Sequence, residues 1–482
     1  MPDTQLLLAL GIFFPTIILI IWRPFGINES IPTAVAAILV FLLGLVTFND
    51  LVTIIGIVTG ASITILSTIV MSIVLESLGF FRWAAFNLVS KAKGCGIKLY
   101  WYIMTLCFFM TMFFNNDGSI LITTPIIIQI VQALKLKPHQ KIPYLIGGAL
   151  VATASSAPIG VSNLANLIAL EIVGLDLNTY ATLMFVPSML GIISISSLIL
   201  VYFEKAIPKN IYYISNSAFN NIEVNLTRPH HNILSYPPLH KKGLINPKPV
   251  FKKNSYLPEK AHKLPKPTKA VDWWMFRVCI LVVIMTRAGF FILAGYGVPI
   301  EWIAIVGALL LIIIRWYRQG IGPYDVLRKT PWHIIIFAFS MYVIVYGLHN
   351  AGLTSMIVNL CRELVSSNHL NTCFIIGFLL TAMSNLFNNL PSVMIGTLSL
   401  TQMGLDPQTL HIAYLANIIG SDIGSLITPM GTLASLIWIF ILRQHKIPIT
   451  WGQYLKVTIR IIPIGLTTSL LSLFLWSEWL SK

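Results

Sequence analysis

The sequence predicts an all-α polytopic membrane protein made of two inverted repeats, each of about five transmembrane helices with a re-entrant hairpin and a broken helix. Three observations predict it. Of the 482 residues, 56% are hydrophobic and only 10% charged, and the mean hydropathy is +0.80; soluble domains carry about 25% charged residues. Apolar runs recur near the roughly 20 residues that cross a bilayer core, among them LLLALGIFFPTIILIIW (6–22), TAVAAILVFLLGLVTF (33–48) and WIAIVGALLLIIIRW (302–316). Finally, FNNDGSILITT (114–124) returns 273 positions later as FNNLPSVMIGT (387–397), identical at six of eleven positions.

The elements follow in order along the first half. The run 6–22 has neither a basic stretch before it nor a small-residue cleavage site after it, so it is expected to be a retained span rather than a signal. It crosses inward to Arg23, 31–48 crosses outward to Asp50, and 52–78 crosses inward to Arg82, Lys91, Lys93 and Lys98. The stretch 80–94 mixes aromatic and basic residues and suits an interfacial helix. Segments 99–114 and 118–134 both end in basic residues on their outer sides, which two full crossings or a re-entrant hairpin would produce. The second Asn–Asn tip in the other half favours the hairpin, with Asn115, Asn116 and Asp117 at its tip. Backbone of that kind is tolerated at membrane depth only inside protein or beside a watery cavity. The segment 143–170 carries SSAPIGVSN (155–163) at its centre, where Ser, Pro and Gly predict a helix that breaks and resumes. A last span, 180–203, returns inward.

Five crossings and a hairpin make an odd count, so the second half begins inside and is inverted. The same offset of 273 sets LESLGF (75–80) on LHNAGL (348–353), and an offset of 269 sets SNLANL (162–167) on GTLASL (431–436). The predicted organisation is therefore a first repeat (1–204), a linker (205–272) and a second repeat (273–482). From Glu204 to Asp272 there are twelve Lys/Arg, four Asp/Glu and nine prolines, the composition of a flexible basic tether held in the cytoplasm near anionic headgroups. That placement accounts for the net charge of +15 without a nucleic-acid partner. Cys95, Cys107, Cys279, Cys361 and Cys373 show no metal spacing and no paired framework. Gly60, Gly79 and Gly307 are expected to let helices pack closely.

Four polar stretches interrupt the apolar segments: NNDGS (115–119), SSAPIGVSNLAN (155–166), NNLPS (388–392) and GSDIGSLITPMGT (420–432). Broken helices expose unpaired N–H and C=O groups, and side-chain amides and hydroxyls both donate and accept. Such a place suits a small hydroxyl-rich or oxyanionic solute together with a coupling cation. The candidate lining residues are Asn115, Asn116, Ser119, Ser162, Asn163, Asn166, Asn388, Asn389, Ser392, Thr428 and Thr432. Asp117 and Asp422, the two acids among them, are candidates for proton or ion coupling; the alternative for each is a structural cap on a broken helix. The amides of the two tips can cap, line the site, or do both. Arg287 is expected to pair an acid or hold the fold, and Glu76 and His349 to sit at the interface. No phosphate-binding loop, HExxH metal site or nucleophile–base pair is present, which predicts a non-enzyme with no cofactor.

At these motifs the sequence resembles the arsenite efflux permeases, the arsenical pump membrane protein family of the wider ion-transporter superfamily. The carrying residues are NNDGSILITTPI (115–126), VSNLANL (161–167) with GLDLNTYA (174–181), NNLPSVMIGTLS (388–399), GSDIGSLITPMGTLASLIWIFIL (420–442) and ITWGQYLK (449–456). The resemblance covers nearly the whole chain apart from the linker. It implies proton-coupled export of arsenite or antimonite from the cytoplasm across the cell membrane, at times with a separate cytoplasmic ATPase subunit; a homodimer is compatible with it. The family's hairpin and broken-helix residues carry over to Asn115, Asn116, Asp117, Ser162, Asn163, Asn388, Asn389, Asp422, Thr428 and Thr432. Two other readings stand beside this one: a sodium/proton antiporter or other ion transporter of the superfamily, and a channel-like protein or membrane scaffold that recruits a partner through the linker.

Overall fold

A computed structural model describes residues 2–24, 27–211, 272–366 and 368–480. The linker predicted over 205–272 therefore lies largely outside the described residues. Every regular element among the described residues is a helix.

The first half runs through nine helices: α1 (Pro2–Trp22), α2 (Ser30–Leu42), α3 (Phe48–Ser77), α4 (Phe80–Ala92), α5 (Gly96–Phe113), α6 (Asn116–Ala133), α7 (Pro138–Ala154), α8 (Leu164–Val173) and α9 (Leu177–Tyr202). The second half has α10 (Trp273–Ile292), α11 (Ile300–Gln319), α12 (Tyr324–Lys329), α13 (His333–Asn350), α14 (Leu353–Val365), α15 (His369–Phe387), α16 (Asn389–Gln402), α17 (Pro407–Asp422), α18 (Leu433–Gln444) and α19 (Trp451–Leu480). Ten helices among the described residues are long and apolar enough to cross a membrane. Helix–turn–helix pairs form where both hairpins are predicted (α5–α6 and α15–α16), and both predicted helix breaks are present. The breaks hold short 3₁₀ turns, Gly160–Ser162 between α7 and α8 and Gly424–Ile427 between α17 and α18.

Two expectations need correction. The crossing placed over 31–48 is a helix of only 13 residues, about 20 Å of rise, because Gly44 turns left-handed (φ 71°) and a Thr47–Asp50 capping box opens α3 directly afterwards. Gly79 is not a packing glycine: a Cβ there would meet nothing within 4 Å. It sits at φ 78° as the N-cap of α4, a backbone state that glycine adopts without penalty. Its counterpart by repeat, Gly352, does the same before α14 at φ 100°. Gly307 does pack closely, against the side chain of Thr286, and Gly60 lies against the carboxylate of Glu301.

Packing between the halves is reciprocal. α3 lies on α11 while α2 lies on α13; α6 lies on α18 while α8 lies on α16; α7 meets α18 while α8 meets α17; and α9 pairs with its own counterpart α19. Exchanging each element for its counterpart reproduces the contact. Each hairpin thus leans on the far arm of the other half's broken helix. The hairpin tips are consequently interior: Asn115, Asn116, Asn388 and Asn389 are 2%, 4%, 6% and 6% exposed. The outward faces of α1, α2, α10 and α11 carry exposed Leu, Ile, Val and Trp side chains, as lipid contact demands.

The second break is closed by a glycine whose replacement tests this packing. A Cβ at Gly431 would collide with the backbone carbonyl of Ser425, so Gly431→Ala must move backbone at a cost of about 1–3 kcal/mol. Gly56, with nothing within 4 Å, accepts alanine freely. Thermal unfolding of the purified protein should show Gly431→Ala melting clearly earlier and Gly56→Ala unchanged or later; equal melting of the two would contradict the packed break.

Candidate functional site

Four helices point their N-termini inward, and a predicted residue caps each. Asn115 Oδ1 accepts from Gly118 N–H at 2.6 Å at the start of α6. Asn388 Oδ1 accepts from Leu390 N–H at 3.4 Å before α16. Asn163 Oδ1 accepts from Ala165 N–H at 3.1 Å before α8, and Thr432 Oγ1 from Ser435 N–H at 3.0 Å before α18. These are the orphan donors of a helix start, which Asn and Thr satisfy. A Cβ at Gly118 would stand 2.5 Å from Asn115 Oδ1, so the first cap closes only over glycine. Asn116 Oδ1 accepts from Asp117 N–H at 2.8 Å.

The second tip is tied to its own half. Asn388 holds φ 78° and ψ 155°, a region otherwise reserved for glycine and costing about 1–3 kcal/mol. It is held there from several sides: Asn388 Nδ2 donates to Met430 O at 3.3 Å and Asn389 N–H to Gly431 O at 2.9 Å. Ser392 Oγ donates back to Asn388 O at 2.8 Å. Asn385, one turn earlier, donates to Gly424 O at 2.8 Å and accepts from Thr428 N–H at 2.7 Å. Ser162 contributes a longer bond in the first half, Oγ to Met112 O at 3.4 Å.

Asp422 ends α17, 1% exposed, and accepts three hydrogen bonds, all from the first half. Ser156 Oγ stands at 2.8 Å, Asn163 Nδ2 at 2.8 Å and Asn166 Nδ2 at 2.7 Å. A buried carboxylate is tolerated when its lone pairs are filled, and bonds to an ionised acceptor are the strong ones. Two tyrosines fix the backbone carrying those donors: Tyr180 Oη donates to Ala157 O at 2.6 Å and Tyr414 Oη to Asn166 O at 3.2 Å. The second break has a matching clamp, since Tyr454 Oη donates to Leu426 O at 3.1 Å and Thr458 Oγ1 to Ile427 O at 2.6 Å.

Asp117 is different. It is half-buried in the first turn of α6, and its carboxylate makes no hydrogen bond or ion pair with the described residues. Asp422 and Glu29 lie within its electrostatic reach. Ser119 Oγ and Asn166 Oδ1 are buried and have no hydrogen-bond partner among the described residues.

The structure therefore gathers part of the predicted set around one acid: Asn163 and Asn166 touch Asp422. Asn115, Asn116, Asn388, Asn389, Ser392, Thr428 and Thr432 build the caps and locks around it without touching it. Sequence reasoning placed Ser156 in the polar stretch 155–166 without naming it as a lining residue, and it missed Asn385 and the tyrosine clamps. Tyr180 and Tyr454 carried a usable signal, an offset of 274 beside the matched motifs. It also missed Glu29, 1% exposed, whose carboxylate takes Arg23 Nη2 at 2.9 Å and faces His333 Nε2 at 3.7 Å. Among the described residues no group of three or more His, Cys, Asp or Glu is placed to hold a metal.

Asp422→Ala would strand the amides of Asn163 and Asn166, while the Ser156 hydroxyl keeps Thr153 O at 2.8 Å. At about 1–3 kcal/mol for each buried group left unpaired, the variant should unfold at a clearly lower temperature than the wild type. Asp422→Asn keeps one carbonyl acceptor and should lose less. Wild-type melting of the alanine variant would show that the three bonds do not hold the halves together.

Comparison with known proteins agrees with this architecture. The citrate transporter family (CitMHS) matches residues 17–420. A putative arsenical pump membrane protein of Bacillus subtilis (strain 168) is 46% identical, covering 97% of this chain and 99% of that protein. An arsenical pump membrane protein of Escherichia coli is 32% identical over 94% of this chain and 95% of its own. In fold, the chain is similar to the crystal structure of the Alcanivorax borkumensis YdaH transporter, with TM-score 0.51, 11% identity and 90% of each chain covered. With ten candidate spans and these relatives, the protein is a multi-pass membrane transporter, and it belongs to the citrate transporter family (CitMHS) and, with its relatives, to the arsenical pump membrane protein family.

Proposed function

We propose that this transporter exports arsenite or antimonite from the cytoplasm in exchange for protons. The names of its relatives support the solute; the contrast between its two acids supports the exchange. Both oxygens of Asp422 accept hydrogen bonds, from Ser156, Asn163 and Asn166, whereas the half-buried Asp117 carboxylate has no partner among the described residues. A neutral trihydroxide offers O–H donors, and an ionised Asp117 is an acceptor for them. Protonation turns that acceptor into a competing donor. Solute and proton then exclude one another at a single carboxylate, which is the requirement for exchange. Ser119 Oγ and Asn166 Oδ1, both buried and unpaired, supply further polar atoms of the kind such a solute needs. In this reading Asp422 holds the halves together and Asp117 couples.

The same proposal takes 1–204 and 273–482 as inverted repeats, joined by the basic linker (205–272) on the cytoplasmic side. The reciprocal contacts support it, since a two-fold exchange of elements is what such repeats produce.

Everted vesicles from a host lacking arsenite and sodium efflux systems test the function. An imposed gradient, acid inside, should drive arsenite accumulation by the wild type, and Asp117→Asn should reduce that accumulation to background while the protein remains folded. Sodium uptake without arsenite uptake would overturn the arsenite reading in favour of sodium/proton exchange. Undiminished gradient-driven accumulation by Asp117→Asn across pH 5–8 would remove Asp117 from the coupling role.

A further inference from the structure

Arg287 lies within α10, at a depth where a charge is costly and marks a role. Its side chain is 7% exposed. Its partners are backbone carbonyls of the other half: Nε donates to Phe113 O at 2.7 Å and Nη2 to Phe114 O at 2.7 Å. The guanidinium also stands over the Phe290 ring, 5.3 Å from its centroid. We infer that Arg287 is a positioning residue for the first hairpin tip, a cation from the second half that holds the carbonyl end of α5 and so sets where Asp117 and Ser119 stand.

The chemistry suits that task. The last carbonyls of a helix have no partner within it and carry its negative end. A planar fork satisfies two of them at once, which an ammonium cannot do with the same geometry. Asn115, the cap of α6, follows Phe114 directly, so whatever fixes Phe113 and Phe114 fixes the tip.

Comparison of the two tips isolates the role. The second tip is tied within its own half, through Asn388 to Met430, Asn389 to Gly431 and Asn385 to Gly424. At the second tip the rings of Phe13 and Phe14, from α1, pack on Phe387 at 5.5 and 5.7 Å. One tip is thus fastened by local bonds and apolar packing, the other by a charged fork reaching across from the second half. Nη1 of that fork is buried with no partner among the described residues, so the cation keeps a spare donor for a second arrangement of the carbonyls.

This inference rests on the transport reading for its purpose, but its test does not depend on transport. Backbone hydrogen exchange on the full chain in lipid nanodiscs compares the two tips in one molecule. Arg287→Met should speed exchange at residues 115–119 by about tenfold or more, as expected for local opening, while residues 388–392 exchange as in the wild type. Arg287→Lys, which keeps the charge and loses the fork, should lie between and keeps the test open if the methionine variant does not fold. Unchanged exchange at the first tip, or equal acceleration at both tips, would overturn the positioning role. Wild-type arsenite uptake in everted vesicles is measured separately; its absence would sink the transport reading and leave the exchange result standing. If both hold, Arg287→Lys should lower the maximal uptake rate more than it raises the half-saturating concentration.

Discussion

The arrangement depends on one carboxylate. Asp422 has no complement of donors within its own half and takes Ser156, Asn163 and Asn166 from the other, so neither broken helix is complete alone. Burying an ion is costly enough that a half-filled set would be worse than an apolar core. The three bonds therefore require the break in α7–α8 to present its side chains to the end of α17. The tyrosine clamps follow from that requirement, since Tyr180 and Tyr414 hold the very carbonyls that flank the donors. Asn163 serves twice, its amide nitrogen on Asp422 and its oxygen on the α8 cap.

Around this bond the two halves share a plan and differ in chemistry. Both tips open with an asparagine cap, both breaks hold a 3₁₀ turn, and both breaks are clamped by a tyrosine, Tyr180 of α9 and Tyr454 of α19. The differences fall where charge is concerned. Asp117 is answered by Leu390 and Gly118 by Pro391 across the repeat, and where Arg287 grips the first tip, the rings of Phe13 and Phe14 pack on the second.

Much of this was legible in the residues. The hairpins and breaks could be read because Asn, Thr, Pro and Gly are costly in apolar helices and recur at matched positions, and the capping role of Asn115, Asn163, Asn388 and Thr432 follows from their residue types. Bonds to backbone left no such mark. Nothing in VVIMTRAGFFIL says that Arg287 meets the carbonyls of Phe113 and Phe114, because every residue has a carbonyl. The donors of Asp422 were visible as a polar stretch, but a partner 256 positions away is fixed by packing alone. For the same reason two acids that look equivalent in sequence turn out opposite, one held by three hydrogen bonds and one bare among the described residues. The short α2 was announced by Gly44 inside an otherwise continuous apolar run.

That unequal pair of tips has an electrical consequence. A potential across the bilayer acts on charge, at about 2.3 kcal/mol per elementary charge for each 100 mV fully traversed. An ionised Asp117 feels that force, and the Leu390–Pro391 pair opposite feels none. Two halves that share a plan are thereby made unequal in charge: a membrane voltage finds a carboxylate to act on at one tip and none at the other.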